Sequence, residues 1–509
     1  MRATLWKLHK WLGVVTCVGV VLWGVSGILH PIMSRLQPKP AQFMPPVQRV
    51  ALGQARPLAE VLSANGIGRI TEAGIATVGG VPAYRIRLAG DTEARYFNTQ
   101  NAQPLDRGDA RYAEQLARHY TGLSGTPVRS SRLITAFDAD YPSVNRILPV
   151  WRVDFEQDDG LRAYVDTAQT RLVTLSDHTR GVLSPLFRAL HNWTFLEESP
   201  VLQVGVISVV LVCVLFSACS GIYFYALMRP SAARRLLHAP LKRTHRTLGI
   251  LVSLTAITAS VSGLYHLIQT WQRDAHPVPM IAQDYSVDEL NGAAWQTVAA
   301  QPLARFALAR LEGQAVWQIT PAGSPMGPRA QVAHLARSHN EHADHAPAAK
   351  PSPGGPASEV ILANGTTLAH GAEALAKDLA ARYARLPLAS IVSVEKITKF
   401  GGEYGFVFKR LPVYRVQFSG AANPRYFVET TTGALASRVD DWDALEGKSF
   451  SWLHKWHFTD AGKDVRDFLL ALFTLGNVVV AVMGLTLFLR RKKSQAQVDP
   501  AVVPAAARP

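Results

Sequence analysis

Four stretches of the chain run free of charged side chains: Leu12–Leu29, Val201–Leu227, Leu248–Ile268 and Phe468–Leu489. Each holds about 18–27 residues, and a helix of that length crosses the ~30 Å hydrocarbon core of a bilayer. The first follows Arg2, Lys7 and Lys10 as a signal peptide would. It is long for a signal h-region, and its flanking motifs recur deep in the chain, so it reads as a retained helix. Between the apolar stretches the pattern changes. "AYRIRLAG" (Ala83–Gly90), "VWRVDFE" and "RAYVDT" alternate like strands of a half-buried antiparallel sheet. Asp109–Gly122 and Glu373–Leu386 space Ala, Leu and Tyr as amphipathic helices do.

The chain also resembles itself. His9-Lys10-Trp11-Leu12-Gly13 matches His245-Arg246-Thr247-Leu248-Gly249, and Val25-Ser26-Gly27 with His30 matches Val261-Ser262-Gly263 with His266, all at an offset of 236. Further on the offset is 263. "LPVWRVDF" then meets "LPVYRVQF", "LHNWTF" (Leu190–Phe195) meets "LHKWHF" (Leu453–Phe458), and Gly221 meets Gly484. A insertion at Arg329–Ala357, rich in Ala, Pro, Gly and His and without apolar period, absorbs the difference. The expected fold is therefore a membrane α-helical protein: a four-transmembrane-helix bundle built by tandem duplication, with two periplasmic α+β domains. The expected boundaries are spans at 1–30, 186–228, 245–268 and 451–490. The α+β domains fill 31–185 and 269–450, a basic loop covers 229–244, and a tail covers 491–509.

The net charge of +15 does not point to nucleic acid, because of where it sits. Arg2, Lys7 and Lys10, then Arg229 to Arg246, then Arg490 to Lys493 all fall on one side if the spans alternate. The positive-inside rule makes that side the cytoplasm and puts both long segments outside, in the periplasm if the host is a bacterium. Both termini are then cytoplasmic and the protein is multi-pass in the inner membrane. Cys17, Cys213 and Cys219 lie inside spans, which leaves no disulfide framework.

Histidines mark the ends of the spans. His9 and His30 are 21 residues apart, as are His245 and His266; on a helix that is a rise of about 32 Å. The duplication sets His9 opposite His245 at the inner face and His30 opposite His266 at the outer face. His191 and His454 form a third pair just outside the second and fourth spans. Polar groups at membrane depth are costly and tend to mark function. Paired imidazoles on facing helices suit a haem iron ligated on both axial sides. The adjacent Gly13, Gly24, Gly27, Gly249 and Gly263 would let a flat macrocycle approach the backbone. At the outer face His30/His266 competes with His191/His454, and mixed pairs stay open. The chain has no Walker motif, dinucleotide fingerprint or HExxH, so the electron donor is another protein, a quinone or a soluble carrier.

Over nearly its whole length the sequence resembles the PepSY-associated transmembrane family. "LHKWLG" and "SGILH" at the first span, "YVDT", "LFRALHNW" before the second span and "HRTLG" at the third carry the likeness. Some members are inner-membrane reductases of ferric siderophores that hold two haems. The resemblance implies two bis-His haem b groups drawn from His9, His30, His191, His245, His266 and His454, of which four suffice. It implies a ferric siderophore or other periplasmic Fe(III) chelate as substrate. Trp151, Arg152, Tyr414 and Arg415 are candidate contacts for an anionic chelator, and no residue is assigned as catalytic. The rival expectations are a haem-free PepSY protein that binds a periplasmic protease or peptide, and the haem-b subunit of a larger oxidoreductase.

Overall fold

A computed structural model of the chain describes residues 2–227, 239–274, 281–323, 358–458 and 462–496. The His-rich insertion at 329–357, most of the basic loop and the end of the tail lie outside the described residues. Contacts divide the chain into a helical unit (Met1–Met33, Leu183–His276, Leu445–Pro509) and an α/β unit (Ser34–Val182, Pro277–Ala444).

Four helices of the helical unit are long and apolar enough to cross a membrane: α1 (Arg2–Leu36), α2 (Pro200–Ala226), α3 (Pro240–Asp274) and α4 (Lys463–Ala496). Against the expected bounds, α1 runs on to Leu36 and α4 starts only at Lys463, while the starts of α2 and α3 differ for a local reason. The segment before α2 is a separate helix, His178–His191, because Trp193 adopts φ 55° and stops it. α2 restarts at Pro200, whose missing N–H costs nothing at the first helical position. Pro240 likewise starts α3 five residues before His245. Glycines let the helices approach. A Cβ on Gly24 would lie 2.2 Å from Val478 of α4, one on Gly19 2.6 Å from Val210 of α2, and one on Gly476 2.7 Å from Val252 of α3. Cys17, Cys213 and Cys219 are free thiols.

Among the described residues of the α/β unit, two of the three four-stranded antiparallel sheets match strand for strand. One holds Val128–Ile134, Val150–Phe155, Arg162–Asp166 and Arg171–Ser176; the other holds Ile391–Ile397, Val413–Phe418, Arg425–Glu429 and Ala434–Val439. Every bound of the second sits 263 positions after the first, and so do both bulges, Val128/Ser130 with Ile391/Ser393 and Tyr164/Val165 with Phe427/Val428. Each sheet is covered by one helix, Gly108–Thr121 or Gly371–Ala384, whose buried faces carry the Ala, Leu and Tyr expected from sequence. Both helices open on glycine because a Cβ there would strike Tyr96 at 2.6 Å or Val360 at 2.5 Å.

The two segments expected as separate domains close into one unit. Arg69–Ile70 pairs with Tyr285–Ser286, and Val50 bridges to Leu303. A shared core joins Val50, Leu62, Ile75 and Tyr84 to Tyr285, Phe306, Trp317 and Ile361. A buried ionic seam completes the join. Glu429 accepts from Arg171 at 2.5 Å and from Arg410 at 2.6 Å, while Arg171 also meets Asp166 at 3.1 Å. Burial alone pushes the Glu429 carboxyl up, but the two guanidiniums outweigh it and bring it down to about 2.

Candidate functional site

Helix α1 carries His9 and α3 carries His245 at one end of the bundle. The Nδ1 of His245 lies 3.1 Å from the carbonyl oxygen of Val480 on α4. A carbonyl only accepts, so this Nδ1 carries the proton, and in neutral imidazole Nε2 keeps the lone pair. The Nδ1 of His9 lies 2.7 Å from Ser220 Oγ on α2. Ser220 gives its own proton to Ser217 O at 3.1 Å, which leaves its oxygen as acceptor and fixes the same tautomer. Each ring rests over a glycine of the following long helix. A Cβ on Gly221 would come within 3.7 Å of His9 Cε1, and one on Gly484 within 3.3 Å of His245 Cε1.

The other end of the bundle repeats the device. His191 closes the helix before α2 and His454 ends the short Phe450–His454 turn before α4. The Nδ1 of His191 is 3.0 Å from Ser26 Oγ, and that of His454 is 3.3 Å from Ser262 Oγ. Both hydroxyls donate to the carbonyl three residues back, Ser26 to Trp23 O at 2.9 Å and Ser262 to Ala259 O at 3.2 Å. Each therefore accepts from its histidine. His191 and His454 meet with ring centres 6.3 Å apart and planes at 85°. Phe187 stacks on His191 at 4.9 Å and Phe450 on His454 at 4.6 Å.

His30 and His266 sit at this same level. His30 packs on Phe187 at 5.5 Å and His266 on Phe450 at 4.5 Å. Both lie within electrostatic reach of His191. The Nδ1 of His266 donates to Glu446 Oε1 at 2.6 Å. Beside the cluster, Trp23 donates its indole N–H to His191 O at 3.0 Å and stacks on Trp193 at 5.2 Å. The Trp193 indole nitrogen is buried without a hydrogen-bond partner. Among the described residues, no three His, Cys, Asp or Glu side chains are grouped to hold a bare metal ion.

Several sequence expectations change. A Cβ on Gly24 or Gly27 would meet Val478 or Thr474 of α4, and one on Gly263 would meet Leu211, so these three glycines lie at helix contacts. The glycines beneath histidines are instead Gly221 and Gly484, visible in sequence only as an aligned pair. The four proposed chelator contacts are otherwise engaged. Trp151 and Tyr414 are buried in their sheets, and Trp151 donates to Asp109 at 2.7 Å. Arg152 pairs with Asp154 and Asp140, and Arg415 lies 3.6 Å from Glu403.

Long apolar helices, histidines held between them and an attached α/β unit define a helical membrane protein. The chain belongs to the family described as the PepSY-associated TM region, whose model matches residues 6–491. No curated protein matches the chain.

Proposed function

We propose that this chain is a haem-b electron-transfer protein of the bacterial inner membrane that reduces Fe(III) chelates, ferric siderophores among them, in the periplasm. One observation supports the reading above the rest. His9, His191, His245, His266 and His454 each commit Nδ1–H to a fixed acceptor and keep the Nε2 lone pair for another partner. An outer-shell hydrogen bond of this kind orients a metal-binding imidazole and raises its basicity. The residues fit the group. His191 and His454 come together with ring centres 6.3 Å apart, each with Nδ1 turned to a serine, and would offer their Nε2 atoms to the group. His9 and His245 would hold the inner haem, and His191 and His454 the outer one, with His30 and His266 flanking it.

Haem b bound at these places supplies a one-electron Fe(III)/Fe(II) couple. The protein's own residues do the rest. Serine and carbonyl acceptors fix the tautomers, Gly221 and Gly484 clear space at the inner histidines, and apolar helices exclude water. We also infer that the chain arose by tandem duplication, which the common 263-residue register supports. A cytoplasmic or quinol donor gives one electron at the inner level, and Fe(III) in the chelate accepts one at the outer level. The product Fe(II) binds hard oxygen ligands weakly and leaves.

The test is single-turnover reoxidation. Dithionite-reduced protein mixed anaerobically with a ferric hydroxamate or catecholate chelate should lose its reduced α-band as Fe(II) appears at one equivalent per electron. Reduced protein that no ferric chelate reoxidises would remove the reductase assignment.

A further inference from the structure

A stacked pair of indoles lies between the two levels of histidine. Trp23 of α1 and Trp193, two residues past His191, stack with ring centres 5.2 Å apart and planes at 16°. At one end the pair is tied to the outer level. Trp23 donates its indole N–H to His191 O at 3.0 Å, one turn from the Ser26 that accepts from the His191 ring. At the other end both rings reach inward. A Cβ on Gly19 would lie 3.4 Å from Cζ3 of Trp23, 3.6 Å from Cζ2 of Trp193 and 2.6 Å from Val210 of α2. Gly19 stands ten residues from His9, about 15 Å along the axis, and seven from Ser26, about 10 Å. On α2, Val210 stands the same ten residues from Ser220, which holds His9. The indoles therefore cover the outer part of the gap between the levels.

Trp193 is a costly residue to keep there. It takes a left-handed backbone, φ 55° and ψ 48°, which side chains hold only against strain and which collects at functional positions. Its buried indole nitrogen has no hydrogen-bond partner among the described residues, a penalty that an all-carbon ring would avoid. The pair is also one-sided. Ala259 stands 236 residues on from Trp23, and Trp456, 263 residues on from Trp193, lies edge-on to Phe473 of α4.

We propose that Trp23 and Trp193 form the electron bridge between the inner and the outer haem. The proposal rests on the haem reading above. Tunnelling falls off exponentially with distance, and packed π-systems couple two redox centres better than aliphatic side chains or gaps do. One electron passes from Fe(II) at the inner level to Fe(III) at the outer level. The indoles are themselves neither oxidised nor reduced, so no proton moves with it. Ile207, Val210 and Val214 pack with Trp193 in one buried apolar cluster and keep water out of the bridge. Neither tryptophan touches substrate.

The experiment follows reoxidation of the fully reduced, full-length protein in sealed proteoliposomes by stopped flow. Ferricyanide, which does not cross the bilayer, is the oxidant. Whichever way a molecule faces, the haem on the accessible side reoxidises first. The other empties through the bridge, in a slower phase whose rate is independent of oxidant concentration. Trp193→Leu and Trp23→Leu should slow that phase by an order of magnitude or more, and Trp193→Phe by less. Haem content and both midpoint potentials should stay at wild-type values. Trp11→Leu, at an exposed indole on the same helix as Trp23, should leave the phase unchanged. A slow phase at the wild-type rate in both leucine variants overturns the proposal. So does slowing that Trp11→Leu reproduces or that a changed midpoint difference accounts for. If Trp193→Leu loses haem, Trp193→Phe and Trp23→Leu decide on the same criteria. Because ferricyanide is the oxidant, a failure of ferric chelates to reoxidise the protein leaves this test standing. A wild type without any b-type spectrum would instead fail the functional reading itself.

Discussion

Ser26 offers the sharpest perturbation of the site. It is fully buried, gives its proton to Trp23 O, and accepts from His191 Nδ1 at 3.0 Å. Ser26→Ala removes that acceptor without adding bulk. The His191 N–H is then left unpaired among apolar neighbours, at about 1–3 kcal/mol, or the ring turns to the other tautomer and presents a proton where the lone pair was. At about 1.4 kcal/mol per factor of ten, the expected loss of haem affinity is roughly 5- to 150-fold. Titration of the haem-free protein with hemin, followed at the Soret band, measures it. Ser262→Ala should weaken the same component through His454, and Ser220→Ala the other component through His9. The reasoning is refuted if Ser26→Ala and Ser262→Ala both bind haem with wild-type affinity and spectrum.

Glu429→Gln should destabilise the α/β unit by about 3–5 kcal/mol, since it strips the buried counter-charge from Arg171 and Arg410; thermal unfolding at neutral pH reads it, and an unchanged midpoint counts against the seam. The same carboxyl gives a pH signature. Its folded value of about 2 lies below the ordinary 4.5, so its contribution of about 3 kcal/mol is complete above pH 4.5 and is lost as pH falls toward 2. Glu429→Gln should lack that component of the acid loss when stability is followed against pH. Gly484→Val places carbon 3.3 Å or less from His245 Cε1 and should displace the ring; difference spectra should then show one haem component weakened and the His191/His454 component intact. Gly24→Ala drives a methyl into Val478 and should cost about 1–3 kcal/mol in bundle stability by thermal denaturation in detergent.

The parts visible in sequence are those with a local signature. Charge-free runs locate α1 to α4 because the bilayer demands length and apolarity from each helix alone. Strands such as Val150–Phe155 and Arg425–Glu429 show in period-two alternation. The histidines stood out by spacing, and the "VSG" motif by recurrence. What that motif does was hidden, since Ser26 reaches a residue 165 positions away. The break at Trp193 was hidden too, because a left-handed backbone at tryptophan has no sequence cue. Glu446 carries no sequence cue; the fold sets it against His266, 180 positions earlier. The closure of the two α/β segments rests on the Arg171–Glu429 pair and a shared core, which no periodicity announces.

The central claim is that paired histidines with free Nε2 atoms hold two haem b groups. Protein purified from cells supplied with a haem precursor, and assayed by pyridine haemochrome and low-temperature EPR, tests it most directly. The account predicts close to two haem b per chain, low-spin and six-coordinate, with His9→Ala and His191→Ala each removing a different one. A colourless protein, or one whose haem survives both substitutions, would contradict it.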